Sequence, residues 1–218
     1  MGKHWIRQQI RHDDVHDTFD KAVVWVQANR QAAGMAAGAA VLAVLVVSLI
    51  FFQRTAARTA SWERLGLAQS YAYSGRQDAS LEQLKQLAAD YPTSDAAGFG
   101  ELFAGDLLYQ GGKFKQATEH YTKLLDRGAP KALQPVALND LALAQESDGQ
   151  PQLAVQTAQR FLETYSEHFL APQIHACLAR CLQALGQADQ AKAAYQKISL
   201  QYPDTSWAAW AQSRLKGS

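Results

Sequence analysis

The sequence predicts an all-α protein. One N-terminal transmembrane helix is followed by a solenoid of four helical hairpins on a 37-residue period and a C-terminal capping helix. Two observations carry this expectation. Glycine returns every 37 residues, at Gly75, Gly112, Gly149 and Gly186. Each is followed five residues later by a small residue (Ser80, Ala117, Ala154, Ala191), and nine residues later come Leu84, Tyr121, Ala158 and Tyr195. A fixed period of this length marks stacked supersecondary units that bury a shared core. The second observation is that no residue between Arg30 and Arg54 is charged.

The 218 residues carry a net charge of +1, so nothing global suggests a nucleic-acid partner. Residues 1–31 form a short, partly amphipathic segment. Trp5, Ile6 and Ile10 mix with Lys3, Arg7 and Arg11, a pattern short for a membrane-surface helix. Asp17 is a suitable N-cap, so one helix is expected from about Asp17 into the apolar run, with Phe19, Val23, Val24 and Val26 as its apolar positions. His12 and His16 stand four apart beside Asp13 and Asp17, but H-D-D-V-H lacks the zinc pattern and a third ligand. A solvated face is the reading, with no metal and no cofactor expected.

Residues 32–52 would make a helix of about 31 Å, which matches a hydrocarbon core of about 30 Å. The run is too long and too far from the N-terminus for a cleaved signal peptide, so a retained single span over residues 32–53 is expected. Charge gives little orientation. Lys21 and Arg30 precede the span closely, Arg54, Arg58 and Arg64 follow it, and only the whole tail with Lys3, Arg7 and Arg11 leans toward a cytoplasmic N-terminus. Gly34 and Gly38 form a G-x-x-x-G pair, which would let a second helix approach closely, from a membrane partner or from a second copy.

Residues 54–218 hold the repeats. In the last unit Leu178, Ala179 and Leu182 share a helix face, Gly186 ends that helix, Ala191, Tyr195 and Ile198 follow at helical spacing, and Pro203 stops the second helix. Gly105, Leu108, Gly112, Phe114, Ala117, Tyr121 and Leu124 fit the second unit, and Leu141, Ala142, Gly149, Ala154 and Phe161 the third. Leu67, Ala68, Tyr71, Gly75, Leu84, Leu87 and Pro92 fit the first less closely. Residues 204–215, with Trp207, Trp210, Ala211 and Leu215, are expected to cap the stack. Small, large and Pro in this order resemble the tetratricopeptide repeat, whose period is about 34, which leaves the extra residues to the turns between repeats.

That resemblance implies which residues face a concave, protein-binding groove. They are Trp62, Leu65, Gln69 and Tyr73 in the first unit and Phe99, Leu102, Asp106 and Tyr109 in the second. Val136, Asn139, Leu143 and Glu146 follow in the third, and Gln173, Arg180 and Gln183 in the fourth. Some members of the family clamp a C-terminal carboxylate with Lys, Arg and Asn. The corresponding positions here are Leu65, Leu102, Gln69 and Asp106, so an aromatic groove for extended apolar or aromatic segments is expected instead. Cys177 and Cys181, four apart on one helix, are read as core thiols whose vectors do not favour a mutual disulfide. No nucleophile elbow, phosphate loop or paired-cysteine metal motif occurs, so no enzymatic activity is expected.

The amphipathic stretch from Asp14 to Arg30, the Ala/Gly-rich span, and Arg58-Thr59-Ala60-Ser61 with Leu67-Ala68 together resemble the ancillary Sec-translocon subunit family of bacteria. This resemblance implies a single-pass inner-membrane protein with a cytoplasmic N-terminus and periplasmic repeats. It would bind Sec components, client polypeptides and periplasmic chaperones. Tyr91-Pro92-Thr93-Ser94 and Tyr202-Pro203-Asp204-Thr205, with Trp207-Ala208 after the second, are also similar to the Tol-Pal-associated cell-division coordinator and the outer-membrane assembly lipoprotein. Those likenesses leave an envelope scaffold for division, peptidoglycan synthesis or outer-membrane assembly as the alternative, and an oligomeric anchor that regulates a membrane enzyme as a third.

Overall fold

A computed structural model describes residues 20–128 and 130–216. The expectations for Trp5, Ile6, Ile10, His12, His16 and the Asp17 cap lie outside the described residues. The chain divides into two units, Met1–Ala56 and Ala57–Ser218.

In the first unit, residues 20–28 are helical and lead into α1 (Arg30–Tyr73). The Asn29 N–H bonds the Trp25 carbonyl at 2.9 Å, and the Ala33 N–H bonds the Asn29 carbonyl at 2.8 Å. Among the described residues α1 is the one helix long and apolar enough to cross a membrane. Val41, Leu45, Leu49 and Phe52 are exposed, as are Val44, Val47 and Phe51, so apolar side chains surround this part of the helix. A helix apolar all round suits a hydrocarbon surround rather than one core-facing stripe. A Cβ added at Gly34 or Gly38 would meet nothing within 4 Å, so no described part of the chain packs on that pair.

The second unit begins inside α1. Four hairpins follow one another: the end of α1 with α2 (Gln77–Asp90), α3 (Asp95–Gln110) with α4 (Phe114–Arg127), α5 (Gln134–Ser147) with α6 (Pro151–Thr164), and α7 (Ala171–Ala184) with α8 (Ala188–Gln201). A short 3-10 turn, Lys131–Leu133, precedes α5, and α9 (Ser206–Lys216) closes the stack. First helices also pack on first helices, α3 on α5, α5 on α7 and α7 on α9, which makes them one layer of the solenoid.

The four period glycines share one backbone setting. Their φ angles are +78°, +72°, +71° and +73° at Gly75, Gly112, Gly149 and Gly186. In each case the glycine N–H bonds the carbonyl three residues back and the next N–H bonds the carbonyl five residues back, as in Gly75 to Ala72 and Arg76 to Tyr71, both at 2.9 Å. This is the Schellman closure, in which a left-handed residue satisfies the orphan carbonyls of the last helical turn. No neighbour lies within 4 Å of an added Cβ at any of the four, so backbone conformation rather than close packing requires glycine there.

The small and large residues of the period are all buried: Ser80, Ala117, Ala154 and Ala191, then Leu84, Tyr121, Ala158 and Tyr195. They join separate cores along the stack. One gathers Leu65, Ala68, Leu84, Leu87 and Ala104, a second Leu108, Ala117, Tyr121 and Leu141, a third Ala154, Phe161, Ile174 and Cys177, and a fourth Leu182, Ala191, Tyr195 and Ile198. Trp207, Trp210 and Leu215 of α9 pack on the last, where a solenoid would otherwise end on an open apolar face. Both Tyr-Pro junctions begin the next helix alike. The Ser94 hydroxyl caps the Ala97 N–H at 3.1 Å, and the Thr205 hydroxyl caps the Ala208 N–H at 3.2 Å.

Candidate functional site

Four elements supply the site, α4 through Tyr121. Trp62 stands on α1, Phe99, Leu102, Asp106 and Tyr109 recur along α3 at helical spacing, and Asn139, Asp140 and Leu143 lie on α5. Trp62 is 39 % exposed, and its ring centroid lies 5.3 Å from that of Phe99. The pair forms an aromatic platform over the first core, which also holds Leu65 at 4 % exposure, so Leu65 supports the platform and offers little surface of its own. Leu102 packs between the Tyr121 core and the Leu133–Ala137 cluster. Gln69 is half-buried, and Tyr73, 87 % exposed, stands apart from the platform.

Asp106, Tyr109, Gln110, Tyr121, Asp140 and Leu143 line a cavity of about 100 Å³. Close approach builds its floor. Gly105 has no side chain, and an added Cβ would lie 2.8 Å from Cδ1 and Cζ of Tyr121, so the ring closes up against α3. From there the Tyr121 hydroxyl donates to Asp106 Oδ1 at 2.8 Å. The Tyr109 ring meets Phe114 edge-on at 5.2 Å, and its hydroxyl shares a hydrogen bond with the Ser147 hydroxyl at 3.2 Å. Asn139 is 4 % exposed and donates Nδ2 to Asp140 Oδ1 at 2.8 Å.

Burial pushes the Asp106 carboxyl above the usual carboxylate range, against the Tyr121 hydrogen bond that holds it down. Burial pushes Asp140 up to about 6; the Asn139 hydrogen bond opposes this and the charge of Asp106 adds to it. Burial, together with the charge of Asp106, drives the Tyr121 phenol upward, so it stays a proton donor. Neither carboxylate has an ion-pair partner among the described residues, although three other ion pairs occur.

Farther along, Arg180 of α7 grips Glu146 of α5 through Nε and Nη2, both at 2.6 Å, and its guanidinium lies 5.9 Å from the Trp210 ring centroid. The bidentate hydrogen bonds raise the affinity of Arg180 for its proton. Cys177 and Cys181 are free thiols in the adjacent core, and the Cys177 thiol donates to the Ala142 carbonyl at 3.8 Å. A hydrogen bond to Cys181 and burial both raise the Cys177 pKa. Glu146, Cys177 and Cys181 place one ligand atom each within 4.8 Å of the others, the one such group among the described residues. Arg180 already engages both oxygens of that carboxylate, so the group reads as an ion pair set over two core thiols.

Thus Trp62 and Phe99 come together, Asp106, Tyr109 and Leu143 share the cavity, and Glu146 and Arg180 are paired. Neither Asp140 nor the inward role of Tyr121 follows from the repeat pattern. One signal for them existed: neither α3 nor α5 contains a lysine or arginine, so an acid on either helix has no cation on its own helix.

Comparison with known proteins places this geometry. The family model for the tetratricopeptide repeat matches residues 64–94 and 178–205, the first and last hairpins. The repeat domain is a tetratricopeptide-like solenoid. YrrB, described as a tetratricopeptide repeat protein with an unusual peptide-binding site, aligns at 17 % identity and a TM-score of 0.52, over 70 % of this chain and 76 % of its own. A tetratricopeptide repeat protein from Parabacteroides merdae aligns at 18 % identity and a TM-score of 0.62, over 72 % and 59 %. MamA from AMB-1 aligns at 18 % and 0.54, over 66 % and 73 %. At such identities the likeness is one of fold. No curated protein matches the sequence. Tetratricopeptide repeats indicate a scaffold for protein–protein interaction.

Proposed function

We propose that the chain is a single-span inner-membrane scaffold whose tetratricopeptide-like groove captures extended polypeptide segments, beside the Sec translocon. Newly translocated chains pass from it to chaperones on the periplasmic side. The observation that carries the binding part is the Trp62–Phe99 platform, with an exposed indole packed on a second ring and supported by Leu65. Exposed aromatic anchors of this kind supply much of the energy in protein recognition. The anchoring part rests on the uncharged residues 32–52, whose apolar side chains stand outward on every side of α1. The translocon assignment rests on the layout of N-terminal helix, Ala/Gly-rich span and repeats described above. Gly34 and Gly38 are the proposed helix-packing face of the span, toward a membrane partner or a second copy.

Photo-crosslinking in intact membranes tests the assignment, with probes at Gly34 and Trp62. Adducts to Sec components and to chains in transit are expected. Adducts confined to Tol proteins or peptidoglycan synthases would replace this reading with that of an envelope scaffold. Protease treatment of spheroplasts should digest residues 57–218 and spare the N-terminal tail; protection of the repeats would reverse the orientation. Replacing Trp62 and Phe99 together by Ser should abolish capture of polypeptide segments, and unchanged capture would remove the groove.

A further inference from the structure

We infer that the cavity between α3 and α5 is a subsite for a basic side chain, so that the segment bound in the groove presents a lysine or arginine between Asp106 and Asp140. This deepens the groove reading and rests on it. The argument is one of charge complementarity. Two carboxylates line one cavity of about 100 Å³, and neither has a cation among the described residues. Buried charges in proteins are normally paired. Glu146, part-buried farther along the stack, follows this rule with Arg180. In the structure each acid receives one side-chain donor, on one of its two oxygens. Tyr121 serves Asp106 Oδ1 and Asn139 serves Asp140 Oδ1, both at 2.8 Å.

A second feature is the buried amide that holds Asp140. Asn139 is 4 % exposed, its Nδ2 is spent on Asp140, and its buried Oδ1 has no partner. An orphaned buried acceptor of this kind costs stability unless a donor reaches it. Gln110 carries the one side-chain N–H donor group among the lining residues, and a guanidinium or ammonium group would bring several more. The remaining walls suit the stem of such a side chain. The Tyr109 and Tyr121 rings and Leu143 are apolar surface on which methylenes pack, and ring faces attract a cation. Phe99 lies earlier along α3, with Trp62 of α1 packed on it, and the pair would take flanking apolar or aromatic residues of the segment. A chain with that pattern is the opposite of the carboxylate-terminated peptides for which other repeat grooves supply lysine and arginine.

The test uses the full chain in lipid nanodiscs and a phage-displayed library of random peptides. Selected peptides should share one arginine or lysine flanked by aromatic or apolar residues, and the basic position should lose its enrichment on the variant carrying Asp106→Asn and Asp140→Asn. A synthetic copy of the best peptide with arginine replaced by citrulline should bind the native chain at least tenfold more weakly and the double variant no differently. Both amides keep an acceptor for Tyr121 and Asn139, so the variant should fold, which circular dichroism checks. Peptides without a basic position, or basic enrichment that survives the double variant, would overturn the inference and leave the groove standing. Selection no better than on the Trp62→Ser, Phe99→Ser chain would instead remove the groove itself. Stabilisation by millimolar Ca²⁺ or Mg²⁺ alone, lost in the double variant, would make the cavity a metal site and overturn the inference as well.

Discussion

Gly105→Ala tests the packing that creates the cavity floor. The added Cβ would sit 2.8 Å from two atoms of the Tyr121 ring, well inside van der Waals contact. That ring cannot swing away cheaply, because it is fully buried and its hydroxyl is tied to Asp106 Oδ1. Overpacking a core at one such contact costs about 1–3 kcal/mol. Alanine for glycine inside a helix returns up to about 1 kcal/mol. The net expectation is a loss of about 1–2 kcal/mol. Gly66→Ala is the matched control, since Gly66 lies inside α1 with nothing within 4 Å of its added Cβ. It should gain up to about 1 kcal/mol from helix propensity alone. Urea unfolding of the full chain in detergent, followed by tryptophan fluorescence, reads both. A Gly105→Ala chain as stable as Gly66→Ala would refute the claim that Tyr121 is pinned against α3.

Asp140→Asn should stabilise the chain at neutral pH. The folded-state value of about 6 lies above the ordinary 3.8, so the folded chain binds this proton more tightly than the unfolded one, and stability falls as pH rises from about 4 to about 6. A shift of that size corresponds to at most about 3 kcal/mol, and partial solvent screening reduces it to about 1–2 kcal/mol at pH 7. The gain should vanish at pH 4, and a gain independent of pH would contradict the electrostatic cause. Gly112→Ala, Gly149→Ala and Gly186→Ala should each cost about 1–2 kcal/mol and by similar amounts, because all three share φ near +72° and open space around an added Cβ. Widely unequal losses in urea would argue against a common Schellman closure. Cys177 and Cys181 should react with a thiol reagent only as fast as the fourth hairpin opens, and rapid labelling of the native chain would contradict their burial.

Much of the stack was legible because it rests on local rules. A left-handed C′ residue strongly favours glycine, so the closures at Gly75, Gly112, Gly149 and Gly186 appear as a period. Crossing helices require small residues, so Ala117, Ala154 and Ala191 appear in step with them. The long apolar helix α1 is legible from the lack of charge between Arg30 and Arg54. The cavity was not legible, for a physical reason. Asp140 is one residue past Asn139, off the stripe that helical spacing assigns to the groove, and reaches the cavity through the packing of α5 on α3. Gly105 is legible as a repeat position, yet its consequence depends on a tyrosine in the next helix. Leu65, expected in the groove, is buried beside Phe99, because it packs with Leu84 and Leu87 of α2 in the first core.

The central claim is that one face of the first-helix layer binds polypeptide. Site-specific photo-crosslinking on the full chain in lipid nanodiscs tests it most directly, with the probe at Phe99 on the groove and, in a second chain, at the exposed Lys115 of α4. Polypeptide adducts from Phe99 that disappear on Trp62→Ser, with none from Lys115, are the result expected. Equal adducts from both positions, or adducts from Lys115 alone, would contradict it.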